Sequence, residues 1–551
     1  MDDTGSKYEA LLIRDKEILY VGDRHGLDKL IDEETNIVDI TGRVVFPSFC
    51  ESHAHAPGLA YDILFNINLY PALSEEETLG MIREHIKEHP EKEIYYGRGF
   101  NMNLFSGDEA VIGPRKEKLD AICGDKPIII SDFGGNCMWM NTAALKKFNI
   151  FPEKECPPGG EIVVDKETGE LWGIIRNSAR TFIPYHVFTE EENYQAMKFF
   201  QDMLLKNGNT SVFALRPPGT VEPRTTLFEA FKVLEDRGEL HLHVHGARDM
   251  DSESDIDRQI KDMLKVKERV ESDKIKFTTA KFFIDGVIEG LDGFLLEPYS
   301  EEIGKGDSFT SKMFWDKDVL AYAFQKSMEA GFQIHCHTIG DGAVRGTLDA
   351  LETALSKVPE ADYRNALTHL QLVHEEDIRR MADMGVATAV QSYWHFKNPT
   401  AFPIELKCLG EERAESEYPL KKLVAAGILV VNSSDYPVTP NPNPFIAIEA
   451  AVTRNLVIAD DLEIDDIKDM EDPEYLLGKE ERISVDDAIR SFTVNAAVNR
   501  FEEDRLGMLK PGMLADFIIV DLDPYEINPV DLEKITVLAT YFEGEEVYNK
   551  N

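Results

Sequence analysis

Two histidines, His53 and His55, stand one residue apart in "VVFPSFCESHAHAPG", Val44 to Gly58, where an apolar run ends. On a strand, residues i and i+2 point to one face, so the pair presents two imidazoles side by side. Zinc-like ions take neutral imidazole readily, and one ion needs three or four such groups. The pair alone does not separate metal binding from strand packing. "HLHVH", with His241, His243 and His245, alternates even more fully and reads as an ordinary strand. What sets His53 and His55 apart is company. "FQIHCHTIGDGA" carries His335 and His337, "ALTHLQLVHEED" carries His369, and "GILVVNSSDYPV" carries Asp435, each near the end of an apolar run. Lys281 lies inside the apolar "FTTAKFFIDG", where a lysine is costly unless paired or chemically changed.

These residues need elements to bring them together. The runs "EIYYGRGF", "PIIISDF", "TSVFAL", "LHLHVHG", "FTTAKFFIDG", "FQIHCHTIG", "ALTHLQLV", "VATAVQS" and "ILVVNSSD" read as strands, and helical patterns follow several of them. Repeated strand-then-helix order argues for a parallel α/β architecture. In an α/β barrel the C-terminal strand ends converge on one site, which would gather every residue above. Both chain ends carry short alternating runs, "YEALLIRDKEILYVG" with "NIVDITGRVVFPSF", and "ADFIIVDLDPYE" with "ITVLATYFEGEEVY". They predict one small β-rich domain from residues 1–48 and 505–551. Residues 49–504 would form the barrel. Residues 59–180, rich in helix and Pro/Gly loops, read as an insertion. The acidic "IADDLEIDDIKDMEDPEY" reads as a solvated helix or loop.

The chain has 551 residues, a net charge of −42 and 43% hydrophobic residues, ample for a large core. That charge repels phosphate backbones and anionic lipid, so nucleic-acid and membrane-surface roles are not expected. Six scattered cysteines form no Cys-x-x-Cys pair and suggest neither a disulfide framework nor a zinc finger. The N-terminal stretch has no signal-like apolar core, and no run of about 18 apolar residues exists. The expectation is a soluble, cytoplasmic protein.

The ordered motifs resemble the amidohydrolase superfamily, in particular amidohydrolase family three, which includes N-substituted formamide deformylase-like proteins. "VVFPSFCESHAHAPG" resembles its first-strand His-x-His signature. "AKFFIDGVIEG" is similar to its Lys-x-x-x-Asp-Gly segment, and "HTIGDGAV" to its His-Ala-Ile-Gly-Asp segment. "THLQLVHEEDIRRMADMG" resembles Glu-His-x-Gln-Leu followed by a helix. "SSDYPVTPNPNPFIAIEAAVTR" resembles the Gly-Ser-Asp-x-Pro segment, and residues from Ser484 onward resemble the closing helix and strand.

The resemblance implies a metal-dependent (β/α)8 TIM barrel of the α/β class, with a small β-rich domain from both termini and an inserted α/β region. It implies that His53 and His55 hold one divalent ion and that His337 and His369 hold a second. Lys281 would be carboxylated and bridge the two, and Asp435 would ligate metal and act catalytically as proton shuttle. The ligand types suit zinc first, with manganese, iron or nickel as alternatives, and one or two ions per chain. Metal-activated hydroxide would attack an amide-like carbonyl, and Asp435 would pass its proton to the leaving nitrogen. His335, which shares a strand face with His337, and His395 in "QSYWHFKN" are candidates for substrate contact, with packing as the other reading. Asp285 and Gly286 fit a loop turn as well as a substrate contact.

The chain also departs from the pattern. Ser48 replaces the usual glycine, Glu51 the aspartate before the first histidine, and Thr368 the glutamate before His369. Asn136, a third candidate for substrate contact, stands where the family has histidine, and Asn177 where it has glutamate. "VFALRPPG" lacks the acidic residue expected after its strand. The implied ligand set is intact while the implied substrate shell has diverged. The expected activity is hydrolysis of a carbon–nitrogen bond other than a peptide bond, in a small molecule. A deaminase or cyclic-amide or ester hydrolase of the same superfamily, a non-catalytic metal-binding relic and a scaffold with packing histidines are the alternatives. Barrels of this kind commonly self-associate, so a homodimer is an expectation too.

Overall fold

The structure is a computed structural model that describes residues 6–132, 134–184, 186–215, 226–462 and 464–550. These fall into two compact units, one running over Leu59–Met197 and the other holding the rest.

The larger unit is built on eight parallel strands, here β1 (Phe49–His55), β2 (Asn209–Leu215), β3 (His243–Asp249), β4 (Ile275–Phe283), β5 (Gln333–Thr338), β6 (Ala366–His369), β7 (Ala387–Val390) and β8 (Val430–Asn432). They pair in chain order from β1 to β8. The seam between β8 and β1 is closed just beyond β8, where the Asp435 amide donates to the His53 carbonyl (3.0 Å) and the His55 amide to the Tyr436 carbonyl (2.7 Å). All eight strands expected from the apolar runs are present. The reason is burial on both faces: β1, β2, β5, β6, β7 and β8 are buried along their whole length, as parallel strands under a helical layer must be. Helices such as Lys317–Glu329 and Asp341–Leu355 supply that layer. Phe282 on β4 packs outward against Phe324 and Trp315. Cys336 on β5 is paired with Phe282 in register, so it too faces the helical layer, whereas His335 and His337 face the interior.

The two chain ends do share one sheet. Val44–Pro47 pairs antiparallel with Phe517–Val520, which pairs with Val537–Phe542 and then Glu545–Asn549. A hairpin, Ala10–Arg14 with Glu17–Gly22, lies beside it, its turn made by Asp15 in the left-handed region (φ 56°). Ile18, Phe517, Ile519 and Ala539 form the core of this part. The acidic segment, with Glu463 outside the described residues, holds no helix or strand.

The smaller unit is organised on a six-stranded mixed sheet rather than on helices. Its order is Ile67–Asn68, Tyr95–Phe100, Ile128–Asp132, Cys137–Met140, Leu171–Arg176 and Glu161–Val164. The sequence predicts a region rich in helix with strands at "EIYYGRGF" and "PIIISDF"; both strands are present, as Tyr95–Phe100 and Ile128–Asp132, and they belong to a larger sheet. Ile128 and Ile130 feed one apolar cluster with Trp139 and Ile174, while Ile129 feeds another with Met140 and Ile175, so this strand is buried on both faces. A strand buried on both faces has no alternation to read. The unit also extends beyond residue 180, to Met197.

Candidate metal centre

The interior face of the barrel mouth gathers the residues that the spacing singled out. β1 carries His53 and His55 on one face, and both ring Nε2 atoms approach a single oxygen, Asp435 Oδ1, at 3.3 Å each. These three side chains are buried and offer ligand atoms within 4.8 Å of one another. His53 Nε2 and Asp435 Oδ1 are buried yet make no hydrogen bond. Two imidazoles and a carboxylate converging in this way, with the His53 nitrogen and the Asp435 oxygen unsatisfied, are a donor set suited to a divalent ion, because a buried polar atom without a partner is otherwise costly. His337 and His369 stand side by side, with ring centroids 4.5 Å apart, and His369 lies 5.4 Å from His53.

Two of these residues reach the interior only because the backbone turns. Thr368 points inward, with its hydroxyl 3.4 Å from His53 Nδ1. Strict alternation would send His369 the other way. His369 (φ 75°) and Leu370 (φ 53°) instead adopt left-handed conformations, which end β6 and bring His369 to the ring of histidines. Asp435 (φ 55°) does the same beyond β8.

The rings of His369 and His53 are hydrogen-bonded at Nδ1, while His337 Nδ1 faces a carboxylate without a hydrogen bond. His369 Nδ1 lies 2.8 Å from Gln391 Oε1, an acceptor only, so that nitrogen carries the proton and Nε2 the lone pair. Gln391 is itself fixed by donating to Ser433 (2.7 Å). His337 Nδ1 lies 3.3 Å from Asp285 Oδ1. The Asp285 carboxylate is fully buried and accepts from the amides of Ile339 (3.0 Å), Gly340 (2.9 Å) and Phe294 (3.0 Å). His53 Nδ1 lies 2.8 Å from His335 Nε2. Glu51 accepts from the amides of His53 (3.0 Å) and Ser434 (3.1 Å), tying the ligand-bearing end of β1 to the segment that carries Asp435.

Burial keeps these rings neutral, the form that binds metal. It drives His53 and His369 well below the ordinary histidine range and His337 down to about 3, with Lys281 adding to the shift of His337. Burial also pushes the carboxyls of Glu51 and Asp285 up to about 7 each, against the amides that donate to them. Asp435 goes the other way. Burial raises it, but the neighbouring His55, His369 and Lys281 outweigh that and hold it below the usual carboxylate range. Lys281 is fully buried, its Nζ has no hydrogen-bond partner, and it sits 4.9 Å over the Phe283 ring. Burial pulls its ammonium down to about 8, partly offset by Asp435 and Asp249.

The structure thus brings His53, His55, His337, His369 and Asp435 together, with Lys281 in electrostatic reach of Asp435. His335 sits level with Lys281 in register, one step below His337, with its ring stacked on Phe213 at 4.8 Å. His395 follows β7 and is buried, stacked on Tyr418 at 4.7 Å, with neither ring nitrogen hydrogen-bonded. Asn136 belongs to the smaller unit, where its carbonyl accepts from the Asn177 amide at 2.9 Å. Two of the positions that depart from the family pattern, Asn136 and Asn177, are therefore adjacent. Residues after Leu215 in "VFALRPPG" lie outside the described residues. His374 caps the helix Glu375–Asp383 through the Glu376 amide. The bracing roles of Asp285, Gln391 and Glu51 were not legible beforehand; the only signal was Asp285's place in the Lys-x-x-x-Asp-Gly segment.

Comparison with known proteins follows this geometry. The amidohydrolase family matches residues 36–548. The protein YtcJ of Bacillus subtilis is 26% identical over 558 residues, covering 100% of this chain and 98% of its own. N-substituted formamide deformylase of Arthrobacter pascens is 22% identical over 553 residues, covering 99% and 95%. An uncharacterized metal-dependent hydrolase of Pyrococcus horikoshii OT3 shares the fold with a TM-score of 0.73 at 24% identity, covering 95% of each chain.

Proposed function

The chain belongs to the amidohydrolase family of metal-dependent hydrolases, and from that premise we propose that it hydrolyses an amide-like carbon–nitrogen bond in a small molecule. The observation that carries the reading is the approach of two buried imidazoles to one carboxylate oxygen, His53 and His55 at 3.3 Å from Asp435. In this reading His53, His55 and Asp435 hold one ion, and His337 and His369 hold a second. A bound divalent ion, zinc by the nitrogen and oxygen character of the donors, supplies Lewis acidity and brings the pKa of a water toward neutrality.

The chain's own residues do the rest. Asp435, held below the usual carboxylate range, is unprotonated at neutral pH and can accept a proton at Oδ1 or Oδ2. It then delivers that proton to the leaving nitrogen, which would otherwise depart as an unstable amide anion. Lys281 with a pKa of about 8 holds a substantial neutral-amine fraction just above neutral pH, and only the neutral amine adds to carbon dioxide. The product is a carbamate plus one released proton. Carboxylation exchanges a buried cation for an anionic oxygen donor, which removes the cost of the lone ammonium. The wall around the centre, with Phe283 near His337 and Trp394 stacked near His369, is apolar and limits access of water.

The relative from Arthrobacter pascens names the first substrate class to try, N-substituted formamides, followed by N-acyl and cyclic amides. Protein purified without chelator should contain one or two equivalents of divalent metal and release amine from one of these classes. Lys281→Ala should lose metal. Metal-free wild-type protein, or full metal retention by Lys281→Ala, counts against this assignment.

A further inference from the structure

We infer that His335 is a positioning residue for His53: it receives the Nδ1 proton of that ring and so fixes the tautomer in which Nε2 is the free donor. The inference rests on the reading of His53 as a metal ligand.

An imidazole that coordinates through Nε2 carries its proton on Nδ1. At a fully buried position that N–H needs an acceptor, because leaving it unpaired forfeits its desolvation energy. Two groups lie near enough to His53 Nδ1. Thr368 Oγ1 is 3.4 Å away, and its own hydrogen is committed to the Ala389 carbonyl at 2.7 Å. His335 Nε2 is 2.8 Å away, an ordinary hydrogen-bond length. His335 therefore carries its own proton on Nδ1 and presents a lone pair at Nε2.

Its surroundings suit a fixed acceptor. His335 is 2% exposed, and its ring lies on Phe213 with planes 28° apart. Its Nε2 is engaged with His53 and one face is covered by Phe213, so it acts through His53 and not on substrate. The same logic recurs around the centre with different chemistry each time. Gln391 offers an amide oxygen to His369, the Asp285 carboxylate stands 3.3 Å from His337 Nδ1 without a hydrogen bond, and His335 offers an imidazole to His53. Thr368 and Gln391 connect the first and last of these, since Gln391 Nε2 lies 3.4 Å from Thr368 Oγ1.

The test uses the full chain, stripped with chelator and titrated with zinc against a competing chromophoric chelator. His335→Phe keeps an aromatic ring on Phe213 but offers no acceptor. His335→Gln offers an amide oxygen, as Gln391 does for His369. We expect His335→Phe to bind its tightest equivalent of zinc about 10–100-fold more weakly than wild type, the usual effect of losing such a partner. His335→Gln should stay within about threefold of wild type. If His335→Phe does not fold, His335→Leu replaces it under the same criterion. Wild-type affinity in the Phe or Leu variant overturns the inference. So does His335→Gln binding as weakly as His335→Phe, because packing would then be the whole contribution. Absence of zinc binding by the wild type is a different outcome and defeats the metal-centre reading itself.

Discussion

Replacing Lys281 with methionine should make the metal-free protein more stable, although the proposed function makes Lys281 a metal ligand. Lys281 is 0% exposed and its Nζ has no hydrogen-bond partner. Burial lowers its pKa from 10.5 to about 8. At about 1.4 kcal/mol per unit, that difference of about 2.5 units is worth roughly 3 kcal/mol of charging cost in the folded state. The sign follows from proton linkage. Between pH 8 and 10.5 the unfolded chain binds more protons at this site than the folded one, so stability rises with pH across that window. The full penalty is present at pH 7 and is gone above about pH 10.5. Methionine has similar length and no charge, so its advantage should be about 3 kcal/mol at pH 7 and should shrink steadily toward alkaline pH.

Calorimetry on chelator-treated protein in carbonate-free buffer measures this. An unfolding entropy of roughly 2.1 cal/mol/K per residue gives roughly 1.2 kcal/mol/K for 551 residues, so the expected rise in Tm at pH 7 is only about 3 °C. At pH 10 it should be close to zero. A variant that melts below wild type at pH 7, or that gains the same amount at both pH values, refutes the picture of Lys281 as a lone buried cation. In metal-loaded protein the proposed function expects the order to reverse, because a carbamate on Lys281 would then join the ligand set and methionine cannot form one.

Asp435→Asn keeps a ligand-sized side chain but cannot take a proton, so kcat should fall by about 10²–10⁴-fold with KM little changed, as steady-state kinetics would show. Gln391→Leu removes the acceptor for His369 Nδ1 and should weaken the second equivalent of metal by about 10–100-fold in a chelator competition. Burial raises the Glu449 carboxyl to about 8, so the folded protein loses stability as pH rises from the ordinary carboxylate range through 8. Glu449→Gln keeps the oxygen that accepts from the Glu533 amide and should be more stable than wild type at pH 8.5, by roughly 2–4 kcal/mol, with no difference at pH 4. Urea unfolding at the two pH values decides it.

The barrel strands could be read from the sequence because parallel strands under helices are apolar runs ending in turns, and all eight are present. His53, His55 and His337 follow from period-two alternation on β1 and β5. His369 and Asp435 do not. Alternation places Thr368 inward and would turn His369 away, and it says nothing of a residue past the end of β8. Only a break to positive φ brings each of them to the centre, and histidine and aspartate leave no local pattern that announces one. The bracing residues stay hidden for another reason. Asp285, Gln391 and Glu51 are common residue types whose partners are backbone amides or rings from distant strands, so proximity in the fold defines them. In the smaller unit "EIYYGRGF" and "PIIISDF" are legible as strands for the same reason, being short apolar runs, whereas the sheet's remaining strands, such as Ile67–Asn68 and Glu161–Val164, are too short to give a period to detect.

The strained positions show why closing the barrel and forming the centre are one event. A non-glycine residue in the left-handed region costs of order 1 kcal/mol or more, and His369 and Asp435 both adopt it. Such conformations persist only where neighbours over-determine them. The Asp435 amide donates to the His53 carbonyl, and the next seam bond joins the His55 amide to the Tyr436 carbonyl. Glu51, two residues before His53, accepts from the Ser434 amide beside Asp435. Three candidate ligands, His53, His55 and Asp435, are therefore fixed by hydrogen bonds between the same two segments that complete the ring of strands. A substitution that loosens this seam should displace Asp435 from both histidines at once. Glu51→Ala, which leaves the Ser434 and His53 amides without their acceptor, should thus lower metal affinity without touching a ligand. Its cost should appear in chelator competition and in Tm together. A fall in Tm with metal affinity intact would separate the seam from the centre and defeat the coupling.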